Sequence, residues 1–257
     1  MSTAAIQPEL IIVLSQNRVS LNMSEDVSKG RPGWQASFNV DSIFFEEQIS
    51  QSLDLALLEH PTLMDSFSCV EIIVLDRPNF SVSRHYADQG ILGEIASRYL
   101  RMRAGDSLST DSSENDAVIC YSLPTQTLAM LKEYYSNLGC HHLATILWHN
   151  FSTQYVPPEK DKIRLYLTLI RDTLILLAEK NSKLIFSKNF LIREQGDLYY
   201  YSTACSRMLR ADANWAVTLE DYPGLFELPG DSILKIENRL SLPSLHVLRS
   251  QYKPCGS

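Results

Sequence analysis

The chain runs twice through the same order of predicted elements, and this repeat constrains the fold more than any other feature of the sequence. An apolar run, Leu10–Leu14, a polar turn and an alternating segment predict a hairpin near the start. A second hairpin begins at Ile163, roughly 150 residues later, and also leads into a third strand and a helix. No repeat of the residues themselves accompanies this order. We therefore expect two halves of similar structure.

In the first half, Phe45, Ile49, Leu53 and Leu57 recur every four residues and predict the buried stripe of a helix. The other predicted elements are a strand over 34–40, the start of that helix at Asp41 or Ser42 and its end near Glu59, a strand over 70–75, a helix over 89–103, a Ser- and Asp-rich loop over 105–116, a strand over 117–121, a helix over 125–138 ended by Gly139, and a transition over 143–151.

The second half follows a boundary at Pro157-Pro158, where the apolar pattern stops and then begins again. We predict a first domain over 1–151 and a second over 152–257, joined by a linker over 152–162. The predicted elements of the second half are strands over 163–170, 173–178 and 183–190, a helix over 197–210, a strand over 215–219 and a last helix from Asp231 through Leu240.

This order predicts an α/β protein. A three-stranded meander followed by alternating helices and strands is the ribonuclease H-like βββαβαβ arrangement. Two such halves in tandem give the architecture that actin, heat-shock chaperones and sugar kinases share, the actin-like ATPase fold. The prediction depends on the order of elements, because the sequence contains no repeated motif.

The charge balance and the cysteines limit the partners. The 257 residues carry a net charge of −7, which disfavours nucleic acid, since phosphate contacts need clustered Lys and Arg. The densest basic group, Arg98, Arg101 and Arg103, lies at a predicted helix end, where cations complement the helix dipole. The five cysteines are odd in number, widely spaced and without a C-x-x-C pair, which favours a reducing compartment. Leu10–Leu14 is too short for a signal peptide, and we expect a cytoplasmic protein without a membrane segment.

One segment carries a resemblance. Residues 183–210 contain a Leu-bearing strand that ends in Asn189 and Phe190, followed by a helix with Asp197, Tyr200 and Tyr201 in an Asp-x-x-Tyr-Tyr pattern. This segment resembles an uncharacterised family from Bacteroidetes, a domain of unknown function, and the similarity extends loosely from about Val70 to Leu248. The resemblance implies an actin-like ATPase fold with no assigned activity.

An active ATPase of this fold carries an Asp-x-Gly turn in each first hairpin. The aspartate holds Mg²⁺ or its waters, and the glycine lets the backbone approach phosphate. The first turn here reads Ser15-Gln16-Asn17-Arg18, with neither residue, and the second reads Arg171-Asp172-Thr173, with an acid but no glycine. The adenosine-binding Gly-Gly pair is also missing from 217–221, near which only Gly224 lies.

The turns are therefore interpreted as degenerate. The positions that would face a cleft are Ser15, Gln16, Asn17, Arg171 and Asp172. We expect no catalytic residue and no bound cofactor. A nuclease of the same strand order is disfavoured as well, because Leu10–Leu14 supplies no carboxylate for a metal pair.

Two further clusters have ordinary structural interpretations. Cys140-His141-His142 with His149 is the best metal candidate, but seven helical steps would separate His142 from His149 by about 10 Å, too far for one tetrahedral ion. We expect no metal site. In the run Tyr199-Tyr200-Tyr201, Tyr201 lies on the apolar helix face, whereas Tyr199 and Tyr200 are predicted to point elsewhere, towards the linker or a partner.

The leading hypothesis is a non-catalytic actin-like protein, a pseudo-ATPase that acts through contacts with a protein partner. The alternative is a divergent nucleotide-binding ATPase or kinase that uses an interlobe cleft and Asp172. A third and weaker hypothesis is an RNA-associated accessory protein, against which the acidic charge argues. The sequence leaves the oligomeric state open.

Overall fold

A computed structural model describes residues 8–15, 18–25, 32–40, 45–64, 67–88, 91–100, 102–112, 117–154, 160–170, 173–210, 215–220 and 239–240. The strands are β1 Glu9–Leu14, β2 Arg18–Met23, β3 Trp34–Asn39, β4 Cys69–Val74, β5 Asn79–Ser83, β6 Asp106–Ser112, β7 Ala117–Pro124, β8 Leu138–His142, β9 Ile163–Ile170, β10 Thr173–Lys180, β11 Lys183–Leu191, β12 Trp215–Glu220 and β13 Arg239–Leu240. The helices are α1 Phe45–Glu59, α2 Arg84–Asp88, α3 Leu92–Tyr99, α4 Thr125–Tyr134, α5 Leu143–Gln154 and α6 Gln195–Leu209, and Pro61–Met64 forms a 3-10 turn.

The first sheet has the order β3-β2-β1-β4-β8. Strands β1, β2 and β3 form an antiparallel meander, and β4 and β8 add to it in parallel with β1. The central strands β1 and β4 are buried along almost their whole length. Apart from Glu9 at the start of β1 and the buried Glu71 of β4, their sequences are apolar, which suits strands that are covered on both faces.

The second sheet, β11-β10-β9-β12-β13, repeats this order and these strand directions. Asn181 and Ser182 join β10 to β11 with φ values of 52° and 61°. Two central residues with positive φ are the requirement of a tight two-residue hairpin whose twist matches its strands. The predicted duplication of a ribonuclease H-like βββαβαβ unit is confirmed.

A third sheet, β5-β7-β6, lies in the sequence between β4 and α4 and was not predicted as a unit. Strand β5 was not predicted from the sequence. The predicted loop over 105–116 is wrong, since β6 occupies most of it. The polar strand β6 is stabilised by tertiary contacts. Buried Asp111 accepts hydrogen bonds from the Tyr121 hydroxyl at 2.9 Å and the Thr145 hydroxyl at 2.8 Å.

The bounds of two predicted helices are also wrong, and one further helix was not predicted. Helix α3 spans only Leu92–Tyr99, α4 ends at Tyr134, and the predicted transition after residue 142 is helix α5. Gly139 does not end a helix, because it lies in β8 opposite Glu71 of β4. A Cβ atom at Gly139 would lie 3.2 Å from the Glu71 carboxyl group, so glycine makes room for this buried side chain.

The predicted last helix falls mostly outside the described residues. Residues 231–238 are among those not described, whereas Arg239–Leu240 form strand β13 beside Val217 and Thr218. The prediction of helix is therefore wrong at its end, where pairing with β12 decides the backbone conformation.

The chain divides into two compact units. The first comprises Met1–Arg77, Met102–Ser107 and Ser122–Leu143, and the second comprises Pro78–Arg101, Leu108–Tyr121 and Ala144–Ser257. The division of the repeat at 152–162 stays a prediction. Among the helices of the described ranges, none combines the length and the apolar composition needed to cross a bilayer.

Candidate functional site

The predicted cleft turns are only partly within the described residues. Ser15 is buried, and both its backbone N–H and its hydroxyl donate to the carbonyl of Arg18, at 2.9 and 3.0 Å. The hydroxyl is thus engaged in closing the hairpin. Gln16, Asn17, Arg171 and Asp172 lie outside the described residues, as does Gly224.

The cysteine and histidine cluster lies on strand β8. Because side chains alternate along a strand, Cys140 and His142 point to one face of the sheet and His141 to the other. The His142 ring is fully buried, with Nε2 at 3.0 Å from the Arg77 carbonyl oxygen, and His141 Nε2 lies 3.8 Å from Glu71 Oε2. Within the described ranges, no group of three or more His, Cys, Asp or Glu side chains is placed to share a metal ion.

The residues that carry the family resemblance pack α6 against β11 and cap the start of α6. The Phe190 ring stacks on Tyr201, with centroids 4.4 Å apart. The Asp197 carboxylate accepts hydrogen bonds from the backbone N–H groups of Arg193, at 2.8 Å, and Glu194, at 3.3 Å, at the start of the helix. These are packing and capping roles.

The tyrosine run behaves only partly as predicted. Tyr201 packs against the core of the second unit, as its place on the apolar face indicates, and Tyr200 is 68% exposed. Tyr199 does not point away from the core, because it packs against the same cluster and its hydroxyl oxygen is buried.

A cavity of about 760 Å³ lies within the second unit, and we call it the apolar groove. It is lined by Asn79–Ser83 of β5, Ile185–Lys188 of β11, Tyr86 of α2, Ile91 beside α3, Glu94, Ile95, Arg98 and Tyr99 of α3, and Met208 of α6. Of these positions only Arg98 was considered in the sequence analysis, as part of a basic group at a predicted helix end. Ile91, Ile95 and Tyr99 recur every four residues, which was the one pattern that could have indicated a wall of the groove.

The rim of the groove concentrates exposed apolar side chains. Five large ones are at least one-third exposed and line it: Tyr86, Ile91, Tyr99, Ile185 and Met208. Tyr99 is 62% exposed although its ring lies 5.5 Å from that of Phe80, which is buried in the floor. Scattered exposed apolar residues are normal on a protein surface, but a cluster around a concavity is typical of an interaction site.

Asn79 holds the two strands of the floor together. This buried side chain donates to Asn189 Oδ1 at 2.7 Å, and its own Oδ1 accepts from the Ser187 hydroxyl at 2.7 Å. Asn79 begins β5, whereas Ser187 and Asn189 belong to β11. Hydrogen bonds between side chains therefore connect the two sheets that form the floor. The groove is therefore a preformed feature of the second unit.

The charges of the groove are two cations and one anion. Arg98 pairs with Glu94 at 2.7 Å on the exposed surface of α3, where such a pair contributes little. Lys188 is exposed, its ammonium lies 5.8 Å from the Phe190 ring centroid, and it forms no ion pair with any residue of the described ranges. Glu94 and Arg98 offset each other, which leaves one net positive charge among the residues that line the groove.

The thiols near the groove are poor nucleophiles. Burial raises the pKa of Cys205, and the nearby Lys188 ammonium offsets this only in part. Beneath the groove, burial and then the Asp111 charge raise the pKa of Cys120 to about 12. Because the thiolate is the reactive form, neither residue supplies a nucleophile at neutral pH.

The comparison with solved structures agrees with the fold. A protein of unknown function with an actin-like ATPase fold from Bacteroides thetaiotaomicron matches with a TM-score of 0.69 at 16% identity, covering 86% of this chain and 84% of that one. Two structures match more weakly. The cytoplasmic domain of EpsL from Vibrio cholerae matches with a TM-score of 0.46 at 12% identity, covering 95% of this chain and 93% of that one. A glucomannokinase from Arthrobacter matches with a TM-score of 0.41 at 11% identity, covering 83% of each chain. At these scores neither says anything about activity.

The family comparison covers most of the chain. A search of the curated proteins finds no significant match. A model of one protein family, in contrast, matches residues 2–214. The resemblance drawn from residues 183–210 is confirmed, and the chain belongs to the family described as "Protein of unknown function (DUF3822)", with the actin-like ATPase fold.

Proposed function

We propose that this chain is a non-catalytic protein of the actin-like ATPase fold that works in the cytoplasm by binding another polypeptide in the apolar groove. The observation that carries the proposal is the ring of exposed apolar side chains around a preformed concavity. Large exposed apolar clusters on a folded domain are costly to hydrate, and protein contacts cover them.

The residues of the first predicted turn support the non-catalytic part of the proposal. The turn has neither aspartate nor glycine, and Ser15 is hydrogen-bonded within its own hairpin. An ATPase of this fold would need carboxylate and backbone N–H groups directed at phosphate there. The cytoplasmic part is supported by the wide cysteine spacing and by the free, buried thiols of Cys120 and Cys205.

Site-specific photo-crosslinking tests the proposed contact. With p-benzoylphenylalanine in place of Tyr99, irradiation of cells that express the chain is expected to give a discrete covalent adduct with a polypeptide, because this side chain stands at the rim of the groove. The matched control is the same replacement at Tyr200, which is similarly exposed, 68% against 62%, but lies outside the groove. Gel electrophoresis and mass spectrometry identify the adduct.

The position dependence decides this experiment. Adduct at residue 99 and none at residue 200 supports the proposal. No adduct at residue 99, or the same products from both positions, contradicts it.

A further inference from the structure

The apolar groove lies at a seam between two separately packed layers of the second unit. The α3 layer contains the sheet β5-β7-β6 and helix α3, and the α6 layer contains the second sheet and helix α6. The core of the α3 layer consists of Phe80, Ala96, Leu100, Val118 and Cys120. The core of the α6 layer consists of leucines of β9 and β10 together with Ala178, Ile192, Leu198 and Cys205. The two cores have no residue in common, so each layer holds its own shape.

Each wall of the groove is fixed to its own layer. On one side, the Tyr99 ring of α3 lies 5.5 Å from the Phe80 ring of β5. On the other side, Tyr201 of α6 stacks on Phe190 of β11, with ring centroids 4.4 Å apart, and Met208 of the same helix lines the groove. We therefore expect each wall to move together with its sheet.

Polar side chains connect the two layers across the floor. Asn79 of β5 donates to Asn189 Oδ1 and accepts from the Ser187 hydroxyl, both at 2.7 Å, and we call these three residues the Asn79 clasp. Among the described strands, β5 pairs with β7 and β11 pairs with β10, and no backbone ladder joins β5 to β11.

The clasp differs in kind from the packing inside each layer. Hydrogen bonds that break when the layers separate are exchanged for hydrogen bonds to water, so the net loss is modest. The apolar packing within a layer has no such replacement, but separation along the seam divides neither core. The seam is therefore the place where the second unit opens most readily.

We propose that the Asn79 clasp is a conformational device that sets the width of the apolar groove. With the clasp formed, the two walls keep the separation seen in the structure. With the clasp broken, the α3 layer moves away from β11 and the groove widens. The inference goes beyond the proposed function, because the motion requires no partner. A polypeptide that prefers one width would shift the population towards that form.

A distance measurement across the groove tests the clasp. p-Acetylphenylalanine in place of Tyr99 and Met208 carries one nitroxide label on each wall, and double electron–electron resonance measures the distance between the labels. The two positions are similarly exposed, 62% and 61%, so labelling is expected to leave the fold intact. We expect one narrow distance distribution for the otherwise unaltered chain.

Two substitutions break the clasp to different extents. Asn79→Ala removes both of its hydrogen bonds, and Ser187→Ala removes one. We expect both variants to lengthen the mean distance and broaden its distribution, Asn79→Ala by more than about 2 Å, the scale of a helix shift, and Ser187→Ala by less. Circular dichroism checks that each variant is folded, and if Asn79→Ala does not fold, Ser187→Ala decides the test.

The matched control is Ser83→Ala, the same substitution at an exposed residue of β5 that lines the groove but is not part of the clasp. It is expected to leave the distance distribution unchanged. An unchanged distribution in the folded clasp variants would overturn the inference. An equal shift in Ser83→Ala would overturn it as well, because any loss of a hydroxyl from the groove would then have the same effect.

These outcomes are independent of the proposed function, because the distance is measured on the isolated chain. If the distance responds as expected while the residue 99 crosslinker captures nothing, the clasp stands and the binding role of the groove is wrong. If the distance does not respond while residue 99 captures a polypeptide, the binding role stands and the clasp is wrong.

Discussion

Replacing Asp111 with alanine is expected to lower the free energy of unfolding by about 2–5 kcal/mol, because two buried hydroxyl donors lose their acceptor. The carboxylate accepts from Tyr121 at 2.9 Å and from Thr145 at 2.8 Å, and all three residues are at most 5% exposed. Urea denaturation followed by circular dichroism measures the change.

Two comparisons isolate the cause of this loss. Glu133→Ala removes an exposed carboxylate from α4 and is expected to change stability by no more than about 0.5 kcal/mol. Adding Tyr121→Phe and Thr145→Val to Asp111→Ala removes the orphaned donors and is expected to recover part of the loss. If Asp111→Ala lowers the free energy of unfolding by no more than Glu133→Ala does, the hydrogen-bonded network does not stabilise β6.

Replacing Phe151 with alanine is expected to destabilise the chain by about 3–5 kcal/mol through the cavity that it leaves. Phe151 of α5 is 1% exposed and stacks on Tyr166 of β9, with ring centroids 4.6 Å apart and planes at 5°. The Trp148 ring contacts the Tyr166 ring edge-on, with centroids 6.4 Å apart. The aromatic group therefore anchors α5 to the sheet of the second unit.

The matched control is Tyr200→Ala, which removes an aromatic ring that is 68% exposed. Its expected cost is below about 1 kcal/mol. Equilibrium denaturation of both variants distinguishes buried from exposed aromatic truncation. Equal losses would show that α5 is not packed as described.

The hairpins and the helix of each half were predictable, because their patterns are local. Strand β1 is apolar from Leu10 to Leu14, and residues of β2 alternate with a period of two, so both follow from the sequence. The turn at Asn181 and Ser182 is likewise set by neighbouring residues, and so is the first turn of α6, where Asp197 accepts from two backbone N–H groups. The strand order followed from the repeat of these elements.

The third sheet was not predictable, because distant residues create it. Strand β6 reads as a polar loop until Tyr121 and Thr145 supply donors for the Asp111 carboxylate. Strand β8 contains Gly139 and two histidines and becomes a strand only beside β4. In both strands the backbone conformation is determined by tertiary contacts and not by local propensity.

The apolar groove was missed for a similar reason. Phe80 and Tyr99 come from a segment about one hundred positions before Lys188 and Met208 in the chain, and no motif links the two segments. Their meeting depends on Asn79, which bonds to Ser187 and Asn189 across the floor. The degenerate phosphate turns favoured a function in protein binding, but they did not indicate which residues form the binding surface.

A titration of the chain with Mg·ATP tests most directly whether the molecule works by protein contact rather than by phosphate chemistry. A ligand at a hundredfold excess over its Kd stabilises the folded state by about 2.7 kcal/mol, which a thermal-shift measurement resolves readily. We predict no change in Tm and no binding heat at millimolar Mg·ATP. A saturable rise in Tm, accompanied by binding heat at one site per chain, would contradict the proposal and favour a divergent ATPase or kinase.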